Sequence, residues 1–406
     1  MIRICRPVLS ERDGRSRVTA DIDVDGQRYP LWVEVEDEFA DGLCPDRSDA
    51  FLVGLLALAF RGRHDISWEA PVTDLLKEQI EKDFIFTICQ NEPQLHPVRL
   101  SGPVERPIFK GKTVRGMGLS CGVDCLYTVR NRMLDASLGD RYFLMTDAHM
   151  RSTGDTAESA ARRFRPLCEN GKAFARRLGI PLIVVRSNWG PQAIPGMAVN
   201  NCTTYCNCFC ALSLQRLFTH YYLASGGPVE DFATRYLKYG FFRTDCSNYD
   251  LLSLAAYSTP SLRFQVDGLE RRVEKVRALV EWTSCHDFLD VCEMHRRRER
   301  GNDTYDCHKC MHTVCEILSV GGMEALELFA DVFDVDYVRT HRAEYLAYLI
   351  CQRLEPTSEC GREAWGGRSF EGCGVGTWLK AFGIIARKAV RKLIRHSRPP
   401  RSWADI

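Results

Sequence analysis

No apolar run in this 406-residue chain approaches the ~18 residues a bilayer-spanning helix needs; the best, Ala50 to Phe60, stops at Arg61. The opening residues, Met1-Ile2-Arg3-Ile4-Cys5-Arg6-Pro7, lack the apolar centre of a secretion signal. Net charge is scarce as well. With 54 basic residues against 53 acidic ones the balance is +1, so no global field recruits nucleic acid and any polyanion binding has to be local. Cysteine, by contrast, is abundant at nineteen residues. A secreted disulfide scaffold is short and exported, and neither condition is met, so reduced cytoplasmic thiols, some of them on metal, are the expectation. A composition of 45% hydrophobic and 26% charged residues supports one large core or two moderate ones.

Three regions follow from a pass along the chain. Residues 1–108 read as a small α+β domain, a substrate lid or a platform for a protein partner. Alternating Val18 to Val24, an Asp25-Gly26 turn and a return near Tyr29 to Val35 make a hairpin. Ser48 is placed to cap a helix over Asp49 to Phe60, and Val72 to Phe84 has a second helical pattern. Residues 109–340 alternate strand-like and helical runs, the pattern of a parallel sheet of about five strands with crossover helices. Strand candidates are Val114 to Leu119, Tyr142 to Met145, Leu182 to Val185 and Tyr221 to Ser225. Ligands of open α/β sheets sit beyond the carboxyl ends of strands, which nominates Asp147, His149, Ser187 and Asn188.

Within Asn200 to Cys210, the stripe Cys202, Cys206 and Cys210 reads as small thiols packing a helix against the sheet rather than as a metal site. Residues 341–406 form a helical extension. Cys351, Cys360 and Cys373 lie in loop-like sequence, and Trp378 to His396 reads as a basic amphipathic helix. That helix can dock its apolar stripe on the parent domain, or meet acidic lipid, RNA phosphate or an acidic partner.

Two segments carry chemistry. Ser120-Cys121-Gly122-Val123-Asp124-Cys125 lies between a strand and a helix, where backbone N–H groups and a helix N-terminus meet an anion; an ordinary Ser/Gly turn capping a helix is the simpler alternative. Cys285 to Cys315 holds nine Cys or His residues in 31 positions, including the pairs Cys292/His295 and Cys307/Cys310, which can close a tetrahedral zinc site. A metal-free cluster of buried thiols is the alternative.

The loop resembles the Ser-Gly-Gly-X-Asp-Ser signature of the PP-loop, or N-type, ATP pyrophosphatases, matching at Ser120, Gly122 and Asp124. Cys121 replaces a glycine, where a Cβ restricts φ, and Cys125 replaces a serine with a poorer donor. The late cysteines resemble the 7-cyano-7-deazaguanine synthase-like branch of that group, with Cys292, Cys307 and Cys310 on three of its four thiolate positions and Thr304 on the fourth. His295 is the preferred replacement ligand, with Cys285 and Cys315 as rivals. Tyr257-Ser258-Thr259, Val266-Asp267-Gly268 and Arg271 to Lys275 resemble further segments of the same branch, in the same order.

The resemblance covers roughly residues 110–335. It implies an adenine nucleotide alpha hydrolase-like fold and a cytoplasmic ligase with ATP, Mg²⁺ and Zn²⁺ as cofactors. Ser120 to Cys125 would bind nucleotide, joined by Asp147 on the strength of its strand end, Asp124, Arg272 and Lys275 would act in catalysis, and Cys292, His295, Cys307 and Cys310 would hold structural zinc. The implied reaction joins ammonia to an activated carboxylate or amide of a small molecule, nucleobase-like or acidic. Two other readings stay open: a degenerate nucleotide sensor or partner subunit, and a tRNA sulfur-transfer enzyme, RNA being the less favoured partner.

Overall fold

The computed structural model describes residues 1–91, 95–109, 111–150, 156–197, 202–228, 256–291, 307–354 and 373–396, and the chain divides into two compact units, Met1–Arg271 and Arg272–Ile406. In the first unit the chain opens with β1 (Ile2–Ile4), β2 (Val8–Arg12), β3 (Arg15–Val24) and β4 (Gln27–Glu36). β3 and β4 form the expected hairpin. Asp25 and Gly26 take φ of 50° and 91°, the left-handed pair that matches a two-residue turn to the twist of its strands. Alternation then sorts the faces: Val18, Ala20 and Ile22 are buried with Leu31, Val33 and Val35, while on the other face Arg17 lies 3.9 Å from the Trp32 ring centre.

Helix α1 (Asp49–Gly62) is buried from Asp49 through Phe60, so it lies inside the unit rather than on its surface. Ser48 precedes it as expected, but its buried hydroxyl makes no capping bond. The Asp49 carboxylate instead accepts from Thr73 N, Thr73 Oγ1 and Gln215 Nε2 at 2.7, 2.8 and 2.9 Å, tying the helix start to two distant segments. Beyond it β5 (Ile66–Trp68) pairs with β1. The helix expected over Val72 to Phe84 is broken into β6 (Val72–Thr73), α2 (Asp74–Gln79) and a π turn at Ile80–Phe84 that leads into α3 (Ile85–Asn91). β7 (Leu100–Ser101) then pairs with β5, and β8 (Val104–Glu105) with β6. That last pairing overrides helical periodicity at Val72 and Thr73.

The parallel half comprises β9 (Val114–Gly118), β10 (Asp140–Thr146), β11 (Leu182–Ser187), β12 (His220–Ala224) and β13 (Arg263–Asp267). Its order is β13-β12-β9-β10-β11, every neighbouring pair parallel. Between strands run α4 (Val123–Arg132), α5 (Ala157–Leu178) and α6 (Thr203–Ser213). From β9 the chain adds β10 and β11 on one side, then returns to add β12 and β13 on the other. The strand order therefore reverses between β9 and β12.

At its far side β11 meets β4 antiparallel, Arg186 opposite Glu34 and Ser187 opposite Val33, which merges both halves into one mixed, mostly parallel eleven-stranded sheet. Residues 1–108, expected as a separate domain, thus share a sheet and an apolar core with the residues that follow. The α6 thiols sit in that core: Cys206, Cys208 and Cys210 are buried, and Phe209 packs so tightly on α1 that a Cβ on Gly54 would come 3.1 Å from its ring. Cys210 Sγ lies 3.5 Å from Thr146 Oγ1 at the end of β10, the thiol-to-sheet packing expected of that stripe, while on the α1 side Gly54 makes room for Phe209.

The second unit is helical among its described residues: α7 (Arg272–Val280), α8 (His308–Glu327), α9 (Val335–Thr340), α10 (Arg342–Leu354) and α11 (Val375–His396). The boundary expected at 340 falls inside this unit. Cys351 lies within α10 rather than in a loop, and Cys360 lies outside the described residues. Among the described residues no helix is long and apolar enough to cross a membrane.

Candidate active site

β9 is Val-Arg-Gly-Met-Gly, and its first glycine is required by packing. A Cβ on Gly116 would come 2.7 Å from the Phe218 ring and 2.8 Å from that of Tyr221, so β12 could not lie where it does beside any larger residue. After Gly118 the chain makes one more sheet-like bond, Leu119 N to Leu144 O at 2.8 Å, then turns. Cys121 takes φ of 57°, the left-handed conformation that glycine adopts without strain and that costs a residue with a Cβ about 1–3 kcal/mol. Gly122 caps α4, whose first-turn N–H groups have no acceptor within the helix.

Both thiols of this loop point inward. Cys121 and Cys125 are 1% and 4% exposed, whereas Gly118 and Ser120 face solvent. The Cys125 Sγ accepts the Ser120 N–H at 3.2 Å and donates to Gly118 O at 3.5 Å, so it braces the turn from below. Burial pushes its pKa up, while N–H groups of Ser120 and Cys121 oppose the rise; the thiol stays protonated, as its donor role requires. Ser120 Oγ accepts from Gly122 N at 3.3 Å. The open side of the turn is backbone, and neither cysteine plugs it. Iodoacetamide at pH 8 is accordingly expected to spare Cys125 in the native protein and to label it once urea unfolds the chain, read by peptide mass spectrometry; native labelling would remove the bracing role.

Around the loop stand residues of segments that the sequence named without giving them a place in the site. Tyr221 is fully buried on β12, with its pKa raised by burial near Cys210, Cys208, Cys125 and Cys206; a Cβ on Gly118 would lie 3.5 Å from its hydroxyl. At the carboxyl end of β12 the sequence Ser225-Gly226-Gly227 turns on itself, Ser225 Oγ donating to Gly227 O at 2.8 Å while Ser225 N reaches Asp267 O at 2.8 Å. Asp267 ends β13. Its Oδ1 pairs with Arg132 Nε at 2.5 Å, and its buried Oδ2 has no hydrogen-bond partner among the described residues. The sequence marked this position through Val266-Asp267-Gly268, one of the segments that carry the resemblance, without assigning it a role.

Other expected residues are occupied elsewhere. Asp147 ends β10 and accepts from Ser187 N at 3.0 Å. Ser187 Oγ donates to Trp32 O at 2.5 Å, and Asn188 accepts from Trp32 N at 2.8 Å and donates to Pro30 O at 2.7 Å. Those two residues stitch β11 to β4 rather than line a nucleotide pocket. The side chain of His149 lies outside the described set. Asp147 also borders a cavity of about 490 Å³ between α5 and the β4–β11 seam, walled by Trp32, Phe164, Arg165 and Arg186 among others. Arg165 and Arg186 are exposed and carry no ion pair among the described residues.

Ser258 and Thr259 build the turn into β13, Ser258 Oγ accepting from Phe264 N and Thr259 Oγ1 from Leu262 N at 3.1 and 3.0 Å. In the second unit Arg272 Nε lies 3.0 Å from Glu316 Oε2, and its Nη2 donates to Thr313 Oγ1 at 3.2 Å. His312 Nε2 lies 3.0 Å from the other oxygen of the same fully buried carboxylate. Lys275, on the next turn of α7, is fully buried.

Of the expected zinc ligands, Cys292 and His295 lie outside the described residues, and among those described no three ligand-type side chains converge. Cys307 caps α8, and its Sγ accepts from Cys310 N at 3.3 Å. The rival Cys285 donates to Trp282 O at 3.1 Å, and Cys315 lies 3.9 Å from Tyr345 O. Comparison with protein-family models, with curated proteins and with solved structures finds no match for this chain.

Proposed function

We propose that the protein is an ATP-dependent adenylating ligase of the PP-loop type, similar to 7-cyano-7-deazaguanine synthases, that prepares a carboxylate or amide of a small molecule for attack by ammonia. The observation that carries this is the place of the Ser120–Cys125 loop. It follows the central parallel strand, beside the point where strand order reverses, with a left-handed residue at its middle and its outer face open. The carboxyl end of the strands at such a reversal is where open α/β sheets bind their ligands. ATP supplies a phosphoanhydride bond whose cleavage between the α and β phosphates drives the joining step.

Loop N–H groups and the N-terminus of α4 would hold the departing pyrophosphate. Asp124, in the first turn of α4, would orient the loop or take Mg²⁺. The unpartnered Asp267 Oδ2 is available to a ligand N–H, while the cavity that Asp147 borders mixes Arg165, Lys172 and Arg186 with Glu34, Glu36 and Glu169 and selects no charge. Arg272 acts through Glu316 in this reading, and Lys275 is likewise interior. Cys307 and Cys310 suit zinc in spacing and place: the two thiols are buried, three residues apart, at the start of α8. Cys292 and His295 would complete a closed, structural set.

Exchange of labelled pyrophosphate into ATP tests the reaction. Exchange that depends on an added small acid supports the ligase, and ATP bound without exchange shifts the reading to the nucleotide sensor. The strained Cys121 favours that second reading, and the exposed β2, with Val8 and Leu9 outward, would serve a partner subunit. The sulfur-transfer reading needs an activated thiol, yet Cys5, Cys44, Cys89, Cys125, Cys168 and Cys206 all have raised pKa values, chiefly through burial. For the metal, the purified chain is expected to carry one zinc by elemental analysis and Cys307→Ser or His295→Ala to lose it; wild-type protein free of zinc would remove the module.

A further inference from the structure

Helix α11 has two apolar stripes, and folding uses one of them. Ala381 is fully buried, and Trp378, Ile384 and Ile385 pack with it on Ala343, Leu346, Ala347 and Ile350 of α10. A second stripe, Val375, Leu379 and Phe382 at i, i+4 and i+7, is 77%, 67% and 53% exposed. Three large apolar side chains in a row on one exposed helix face are more than scattered surface hydrophobes. The charges say what covers them. Val375–His396 contains six Lys or Arg residues and no Asp or Glu, in a chain whose overall balance is +1, and Lys380, Arg387 and Lys388 are exposed.

We propose that α11 docks the protein on an anionic lipid surface, Val375, Leu379 and Phe382 entering the headgroup and acyl boundary while the basic residues meet the headgroups. A helix that lies in the interface needs both parts: an apolar face to bury and cations to reach the phosphates. RNA would use the cations and leave Val375 and Leu379 in water, since single strands bind by phosphate contacts and by stacking on rings. An acidic protein groove could accept both faces, but the binding would then not follow lipid composition. Because the docked stripe is separate from the exposed one, membrane contact requires no unpacking of α10.

The test is co-sedimentation of the full chain with phosphatidylcholine vesicles with and without phosphatidylserine. Binding is expected only with phosphatidylserine and should weaken as salt rises. Leu379→Asp with Phe382→Asp should reduce it at least roughly tenfold, and Arg387→Glu with Lys388→Glu by roughly 10- to 30-fold. All four positions are exposed, so thermal melting should not change, and a shift in melting would be answered by the milder Leu379→Ser. Wild-type protein left in the supernatant at low salt overturns the proposal. So does binding that is equal with and without phosphatidylserine, unchanged by Leu379→Asp with Phe382→Asp, or seen with single-stranded RNA but not with vesicles.

Discussion

Asp124→Asn should lower pyrophosphate exchange by about 100- to 1,000-fold while leaving the melting temperature within a degree or two of wild type. The carboxylate sits one residue beyond the start of α4 and is half-buried, at the edge of the turn rather than beneath it. In the proposed reaction its removal would touch the phosphates and Mg²⁺ more than the fold. Cys121→Gly is the informative companion. Position 121 already holds φ of 57°, so glycine relieves strain of about 1 kcal/mol or more and removes a Cβ from the turn. Exchange should stay the same or rise. A fall with Cys121→Gly would mean that the thiol itself takes part, and unchanged exchange in Asp124→Asn would move the phosphates away from this loop.

The turn was legible in the sequence because its information is local: six consecutive residues between an apolar strand and a helical run define it. The hairpin at Asp25-Gly26 and the first four parallel strands were legible for the same reason. What escaped was long-range. β11 meets β4 over two residue pairs about 150 positions apart, and nothing in Arg186 or Ser187 advertises that seam. Asn188 was read as a pocket residue because polar side chains at strand ends look alike whether they bind ligand or, as here, continue a ladder with their own amide. β13, Arg-Phe-Gln-Val-Asp, is too short and mixed to announce a strand until β12 is beside it. At Val72 helical spacing lost to a two-residue pairing with β8.

The second large effect lies in the helical unit. Glu316→Ala should destabilise it by about 3 kcal/mol, seen as an early phase in urea unfolding, because it leaves the Arg272 guanidinium, 13% exposed, facing an apolar side chain. Arg272→Leu alone should cost a similar amount by leaving a carboxylate of no exposure with His312 as its remaining ion-pair partner. Combining Arg272→Leu with Glu316→Leu should recover most of the loss, since two apolar side chains need no partner. His312 decides how complete the recovery is. With Glu316 gone its ring loses the carboxylate 3.0 Å away, and the remaining deficit measures that contact. The same variants separate structure from chemistry at Arg272, one of the two cations that the resemblance marks as catalytic. Should the double variant be stable and still exchange pyrophosphate, Arg272 serves only the fold of the helical unit. Should it be stable and inactive, the Arg272–Glu316 pair serves the reaction as well as the fold of the helical unit.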